Sequence, residues 1–318
     1  METTQKTPPP LQEVVRPTTI IQSLRLSKHL GIDITLASET FQHTGSFKFR
    51  AAYNVASHVS HTKILAASSG NFGQAMAYAC QLLGKSCIIV MPHTSARVKI
   101  DAVREYGGTV DLTDVRVKGR GARVAELARD HTDAYIASAY DDPLVIEGNA
   151  SLGKELVELR KQFDVIVAPV GGGGLTSGLI TGICAAGATM RVFGAEPLMA
   201  NDAARSLRAG HIIENTTEPM TIADGARTPS LGLHNWPILH DGLAGIVEVP
   251  EEKIAEAVRL LFSQANLKTE PTGALSVAAV LTDPDKFRGL SVCCVVSGGN
   301  VDVGVYHAIL CADGADRR

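Results

Sequence analysis

Four segments of this 318-residue chain set reactive side chains among small ones. In His43-Thr44-Gly45-Ser46-Phe47-Lys48-Phe49-Arg50 a lysine stands between two phenylalanines. Such a lysine either snorkels past its neighbours to water or is desolvated by them, and a desolvated amine of lowered basicity suits Schiff-base chemistry. Lys48 alone does not decide between the two. Ala67-Ser68-Ser69-Gly70-Asn71-Phe72-Gly73-Gln74 follows an apolar run and opens a helical pattern. Hydroxyls and glycines there either cap a helix in the ordinary way or leave its first N–H groups to bind a carboxylate or phosphate. The third segment holds Gly171, Gly172, Gly173 and Gly174 after the run ending at Val170. Four successive glycines have a high entropic cost that a plain turn does not justify and a phosphate cradle does. No GK[ST] follows, which excludes a Walker A loop, and GxGxxG fails because its last position is Thr176 or Ser177. Glu196, at a strand end about twenty residues on, still fits a ribose-binding acid, so a dinucleotide site and an NAD-dependent oxidoreductase stay open. In Ser297-Gly298-Gly299-Asn300, Ser297 either ends a strand or offers its hydroxyl to a ring at the sheet's carboxyl edge. A phosphate loop, an imine-forming lysine, a carboxylate loop and a hydroxyl together describe a site for a phosphorylated aldehyde carrying an amino acid.

Those loops need strands to present them. Short β-branched runs at 63–66, 86–91, 109–112, 134–137, 165–170, 191–195, 246–249 and 292–296 alternate with helical periodicity at 73–83, 120–129, 152–161 and 251–265. The alternation predicts an α/β fold of two open, mostly parallel twisted sheets with helices on both faces. Residues 1–16, with Pro8-Pro9-Pro10, read as a frayed leader.

Composition narrows the function classes. With 33 acidic and 30 basic residues and a net charge of −3, there is no general basic field for nucleic acid or a membrane surface. No apolar run approaches the roughly 18 to 20 residues of a membrane span, and the N-terminus lacks the apolar core of a signal peptide. Cys80, Cys87, Cys184, Cys293, Cys294 and Cys311 form no CxxC pair and read as reduced core residues of a cytoplasmic chain. Thirty glycines beside 5% aromatics suit close backbone approaches.

The motifs TGSFKFR, SSGNFGQA, VGGGGLTSG and SGGNVD, in this order and with TIADG (221–225) and TEPTGA (269–274) between them, resemble the fold-type II pyridoxal-phosphate (PLP) enzymes. The similarity is to the serine/threonine dehydratase and serine racemase group and runs from about residue 17 to 303. It implies that Lys48 holds the cofactor as an imine and then removes the substrate Cα proton. Gly171, Gly172, Gly173 and Gly174 would bind the phosphate, Asn71 the ring oxygen, and Phe47 would pack near the ring. Ser297 would face the pyridine nitrogen, and a neutral hydroxyl there favours prompt elimination. Ser68, Ser69, Gly70 and Gln74 would surround the substrate carboxylate, with Ser69 matching the opposite-face acid/base of racemases. Glu196, Asp202 and the Ala200 carbonyl match a divalent-cation site whose oxygen ligands suit Mg²⁺ or Ca²⁺.

The chain also departs from that family. Phe72 stands where the family usually has histidine, Tyr140 where a small polar residue is usual, and Ile146-Glu147-Gly148-Asn149-Ala150 replaces IAGQGT. Retained cofactor residues with altered pocket positions imply the same chemistry on a substrate unlike serine or threonine, with Phe72 and Tyr140 lining a roomier, more aromatic pocket. The resemblance implies β-elimination from a β-hydroxy-α-amino acid to a 2-oxo acid and ammonia; racemisation or β-replacement would share the cofactor residues. It also implies a homodimer, a large PLP-binding domain of residues 1–37 and 141–318, and a small mobile domain of residues 38–140 that closes over substrate.

Overall fold

The computed structural model describes residues 7–68, 70–95 and 97–312. Ten strands are present among them: β1 (Thr19–Gln22), β2 (Asp33–Ser38), β3 (Lys63–Ala67), β4 (Ser86–Pro92), β5 (Thr109–Thr113), β6 (Ala134–Ala137), β7 (Val165–Pro169), β8 (Arg191–Pro197), β9 (Leu243–Val249) and β10 (Ser291–Val296). They form a six-stranded sheet in the order β1-β2-β10-β7-β8-β9 and a four-stranded sheet in the order β5-β4-β3-β6. Among the described residues every pairing is parallel except that of β1 with β2. The central strands β7 and β10 are apolar and buried almost throughout, as parallel strands covered by helices on both faces must be.

Two strands go beyond the sequence expectation. β2 carries Thr35 in its interior, fully buried, where its hydroxyl accepts a hydrogen bond from Lys161 at 3.0 Å. β1 is a four-residue edge strand. β1 is too short, and β2, DITLAS, too interrupted by polar residues to stand out beside the other eight.

The expected helix at 152–161 is the second half of a longer one, Pro143–Glu158. Asp142 accepts the Leu144 N–H at 2.8 Å and Pro143 occupies the first helical position, so the helix starts at a capped proline. This helix crosses Gly174–Ala185 at very short range: a Cβ on Gly182 would collide with the Ala150 carbonyl oxygen.

The leader expectation fails for the residues nearest the fold. Leu11 and Val15 are buried beside Phe49 and Tyr53, Tyr53 donates to the Pro9 carbonyl at 2.8 Å, and the Arg16 N–H donates to Gln42 at 3.0 Å. Residues 9–16 are therefore docked, because their apolar side chains have a core to enter. The cysteine expectation needs the same correction. All six are free thiols, but Cys184 and Cys311 are exposed and only the other four are buried.

Candidate active site

The four chemistry-bearing loops follow β2, β3, β7 and β10, at the carboxyl edges where open α/β sheets bind ligands. Backbone bonds stitch the first to the last. The Phe47 N–H donates to the Ser297 carbonyl at 3.0 Å, Gly299 N–H donates to the Gly45 carbonyl at 2.9 Å, and Ser46 bridges Gly298. Asn300 then donates from Nδ2 to the Thr44 carbonyl at 2.7 Å and to Asn71 Oδ1 at 2.9 Å. Gly45 sits at φ 73°, and a Cβ there would lie 2.5 Å from Asn300 Oδ1. Only glycine combines that backbone with that contact.

Lys48 begins the helix Lys48–His58. Two residues on, Arg50 is wholly buried and holds Glu39 at 2.8 Å and Glu155 at 2.6 Å, with Ser151 and Thr18 taking further N–H groups. This network fastens the helix to the β2 end and to Pro143–Glu158. Lys48 Nζ donates to the Ala139 carbonyl at 2.8 Å and lies 5.0 Å from the Phe47 ring centre and 5.9 Å from that of Phe72. Burial lowers the amine to about 8, against the opposing pull of Glu270. The rings beside this amine are those of Phe47 and Phe72, and Phe49 is not one of them. Neighbouring helical side chains diverge by about 100°, and Phe49 packs instead on His43 and Tyr53.

The glycine loop runs into the helix Gly174–Ala185, with Gly173 at φ 96° and no side-chain cap. The first-turn N–H groups are therefore available to an anion, reinforced by the helix dipole. The glycines also have a packing reason that the sequence hid. A Cβ on Gly172 would collide with the Tyr140 ring, and one on Gly174 would lie 2.9 Å from the Tyr140 carbonyl.

These loops enclose a cavity of about 370 Å³. Phe47, Lys48, Ser68, Gly70, Asn71, Phe72, Tyr140, Ser297 and the four glycines 171–174 all line it. Ser69 lies outside the described residues. Ser68 Oγ accepts the N–H groups of Gly70 at 3.1 Å and Gly73 at 3.0 Å, which is the ordinary capping role. Gln74 is not among the lining residues; it donates to Asn71 Oδ1 at 3.3 Å from behind, so its expected carboxylate contact becomes support of Asn71.

Glu196, Ala200 and Asp202 stand apart from the cavity. The Glu196 carboxylate is buried and accepts the Ala203 and Ala204 N–H groups at 2.8 and 2.9 Å, capping the helix Asp202–Ala209. That removes it as a ribose-binding acid. Asp202 Oδ1 accepts from Asn215 at 2.8 Å, while Oδ2 is buried with no hydrogen-bond partner among the described residues. Burial pushes Glu196 well above the usual carboxylate range and Asp202 up to about 6. Among the described residues no group of three or more His, Cys, Asp or Glu side chains is placed to hold a metal.

Lys99, Arg120, Asp224, Arg227 and Glu270 also line the cavity, and sequence reasoning gave none of them a role. Asp224 and Glu270 lie inside the TIADG and TEPTGA motifs, which were the available signal. Lys99 and Arg120 begin amphipathic helical stretches and look there like solvated charges.

A family model described as pyridoxal-phosphate dependent enzyme matches residues 11–298. The chain belongs to that family. This PLP enzyme is 36% identical over 297 residues to an L-threo-3-hydroxyaspartate ammonia-lyase of a Pseudomonas species, covering 92% of each chain. It is 33% identical over 305 residues to the serine racemase of Homo sapiens, covering 92% of this chain and 88% of the racemase. Among solved structures, the T.th. threonine deaminase superposes with a TM-score of 0.87 at 39% identity, over 92% of this chain and 95% of that one. The fold is accordingly that of the fold-type II PLP enzymes. The cavity of this PLP enzyme fits the cofactor on its own terms: uncapped helix amides face one wall, and a lysine of lowered basicity stands on another.

Proposed function

We propose that this chain is a PLP-dependent ammonia-lyase whose substrate is a β-hydroxy-α-amino acid with a second carboxylate, of the 3-hydroxyaspartate type. One observation carries the choice of a dicarboxylate. Four cationic side chains, Lys48, Lys99, Arg120 and Arg227, line the cavity against two carboxylates, Asp224 and Glu270, and among the described residues Arg120 makes no ion pair. That surplus suits a phosphate plus a dianionic amino acid. The similarity to L-threo-3-hydroxyaspartate ammonia-lyases and to the β-hydroxyaspartate dehydratase of Paracoccus denitrificans, 34% identical, supports the same reading.

When bound, the cofactor supplies the electron sink for the Cα carbanion. The chain's own residues do the rest. The 171–174 amides hold the phosphate and Asn71 orients the ring. The Asn71 and Phe72 N–H groups, left over by the Ser68 cap, hold the α-carboxylate, and Arg120 holds the distal one. Lys48, neutral in useful proportion because of its burial, takes the Cα proton; the β-hydroxyl leaves as water; hydrolysis of the resulting enamine gives oxaloacetate and ammonia. Ser297 stays a neutral hydroxyl, while Phe72 and Tyr140 exclude water. Residues 38–140 form the part that closes over substrate, as a homodimer in the cytoplasm.

The test is turnover of serine, threonine and each 3-hydroxyaspartate diastereomer by the PLP-loaded protein, with assay of 2-oxo acid, ammonia and amino-acid enantiomer. A hydroxyaspartate should exceed serine in kcat/KM by on the order of 10- to 100-fold, the worth of one charge-assisted hydrogen bond. Arg120→Ala should erase that preference and spare serine. Preferred serine turnover, or enantiomer exchange without 2-oxo acid, would overturn the reading.

The cation site belongs to the same proposal. Asp202, with its unpartnered Oδ2, Glu196 and the Ala200 carbonyl hold Mg²⁺ or Ca²⁺, which relieves two buried carboxylates of raised pKa. Either ion should raise the melting temperature, EDTA should reverse the effect, and Asp202→Asn should abolish it. A melting temperature indifferent to all three argues against the site.

A further inference from the structure

The cavity holds a second buried lysine that the proposed reaction does not use. Lys99 is 5% exposed and comes from the helix Arg97–Glu105, packed on β5 of the four-stranded sheet. Its stem crosses Gly70 so closely that a Cβ on that glycine would lie 2.7 Å from Lys99 Cδ. Its ammonium leaves its own unit and meets two carboxylates of the other: Asp224 Oδ2 at 2.5 Å and Glu270 Oε2 at 3.9 Å. The two carboxylates differ. The Asp224 side chain is 40% exposed and can be solvated by water, whereas that of Glu270 is 3% exposed. Glu270 Oε1 accepts the Asn71 Nδ2 hydrogen bond at 2.6 Å, and Oε2 has no hydrogen-bond partner among the described residues.

A carboxylate so enclosed stays ionised only beside a positive charge. Three titratable groups face Glu270: Lys99, Asp224 and, from the cofactor side, Lys48. Burial, the largest influence, and Asp224 favour its protonated form, Lys99 and Lys48 favour the carboxylate, and the balance leaves Glu270 raised to about 7, ionised above that pH. Lys48 would be committed to holding the cofactor, which leaves Lys99 as the free ammonium of the set. Lys99 itself faces Glu270, Asp224 and the repelling Arg227, and the two acids keep its pKa raised in spite of burial.

The state of Glu270 matters through Asn71. That amide is held at both ends, its Oδ1 accepting from Asn300 and Gln74 and its Nδ2 donating to Glu270. One N–H on Nδ2 remains for the cavity that Asn71 lines. A protonated Glu270 would be a poorer acceptor and would loosen one end of the clamp.

We propose that Lys99 is a positioning residue for the cofactor: its charge, brought across from the four-stranded sheet, holds Glu270 as the buried carboxylate that fixes the Asn71 amide toward the cofactor ring. The inference rests on the PLP reading of the cavity and adds to it an electrostatic dependence on the unit that carries Lys99. Lys99 thereby couples the seating of its helix to the binding of the ring.

The experiment is a double-mutant cycle on PLP affinity, read by absorbance and fluorescence titration of the cofactor-depleted full chain, for the wild type, Lys99→Met, Glu270→Gln and the double variant. Lys99→Met should weaken PLP binding at neutral pH by at least about fivefold, within the range of coupling between contacting groups. It should also move the pH dependence of binding upward, because Glu270 without Lys99 holds its proton to higher pH. In the Glu270→Gln background, where no carboxylate needs the charge, the same substitution should change affinity less than about twofold. Strictly additive effects, or an unmoved pH profile in Lys99→Met, overturn the proposal. If Lys99→Met does not fold, Glu270→Gln alone decides: its PLP affinity should lose the Glu270 titration near 7 and keep only that of Lys48 near 8, and a profile unchanged from the wild type overturns the proposal. A wild-type chain that takes up no PLP refutes the cofactor reading itself, a result distinct from both.

Discussion

The pocket chemistry turns on how far single groups are moved from their behaviour in water. Lys48 is the clearest case, lowered to about 8 from the ordinary 10.5 chiefly because burial penalises its charge. A lowered lysine pKa means that the neutral, nucleophilic amine dominates above about pH 8 and falls about tenfold for each unit below it. The rate of PLP incorporation into cofactor-depleted protein should follow that curve and level off above pH 8. An unperturbed amine would instead keep rising past pH 10, which stopped-flow absorbance distinguishes. Phe72→Leu should shift the midpoint upward, because opening the ring wall readmits water to the amine. An unmoved midpoint would show that the Phe72 ring contributes nothing to the desolvation.

At the scale of elements, the helix Lys48–His58 is held by one buried cation. Arg50 is fully buried between Glu39, also fully buried, and Glu155, so its removal strands the Glu39 charge with only the Thr18 hydroxyl, at 2.8 Å, beside it. Breaking such a pair costs about 3–5 kcal/mol, and Arg50→Met should lower the chemical-unfolding midpoint accordingly while reducing PLP content, because the same helix carries Lys48. Arg50→Met/Glu39→Gln, which removes the stranded charge, should recover part of the loss; no recovery would place the cost in packing instead. The sequence made the loops of this element and of the other three legible for a local reason: glycine, hydroxyl and lysine spacing is written in consecutive residues. What it could not display are the partners that topology brings together. Lys99 and Asp224 are 125 positions apart, and Asn71 and Glu270 are 199 apart. Each looks alone like a surface charge or a polar loop residue. β2 was hidden in the same way, since Thr35 interrupts its apolar run and is satisfied by Lys161, 126 positions away.

For the whole molecule, the four-stranded and six-stranded sheets share the site. The first contributes Asn71, Phe72, Lys99 and Arg120, and the second the glycine loop, Asp224, Glu270 and Ser297. Between them the cationic Lys99 and Arg120 face the acidic Asp224 and Glu270 across the cavity. A dicarboxylate bridging Arg120 of the first unit and Arg227 of the second should draw the two together, since contact across the cleft gains most where water is expelled. Hydrogen–deuterium exchange of the PLP-loaded protein with and without succinate, an unreactive dicarboxylic acid, checks this. Protection should appear in the first turns of Arg97–Glu105 and Arg120–Asp130 and in the 224–230 segment, with the strands β7 and β10 unchanged because they are already buried at the core of their sheet. Arg120→Ala should remove the succinate effect without altering exchange in its absence. Uniform protection across both sheets would mean that succinate stabilises the fold rather than closing it, and protection that survives Arg120→Ala would move the distal carboxylate site elsewhere in the cavity.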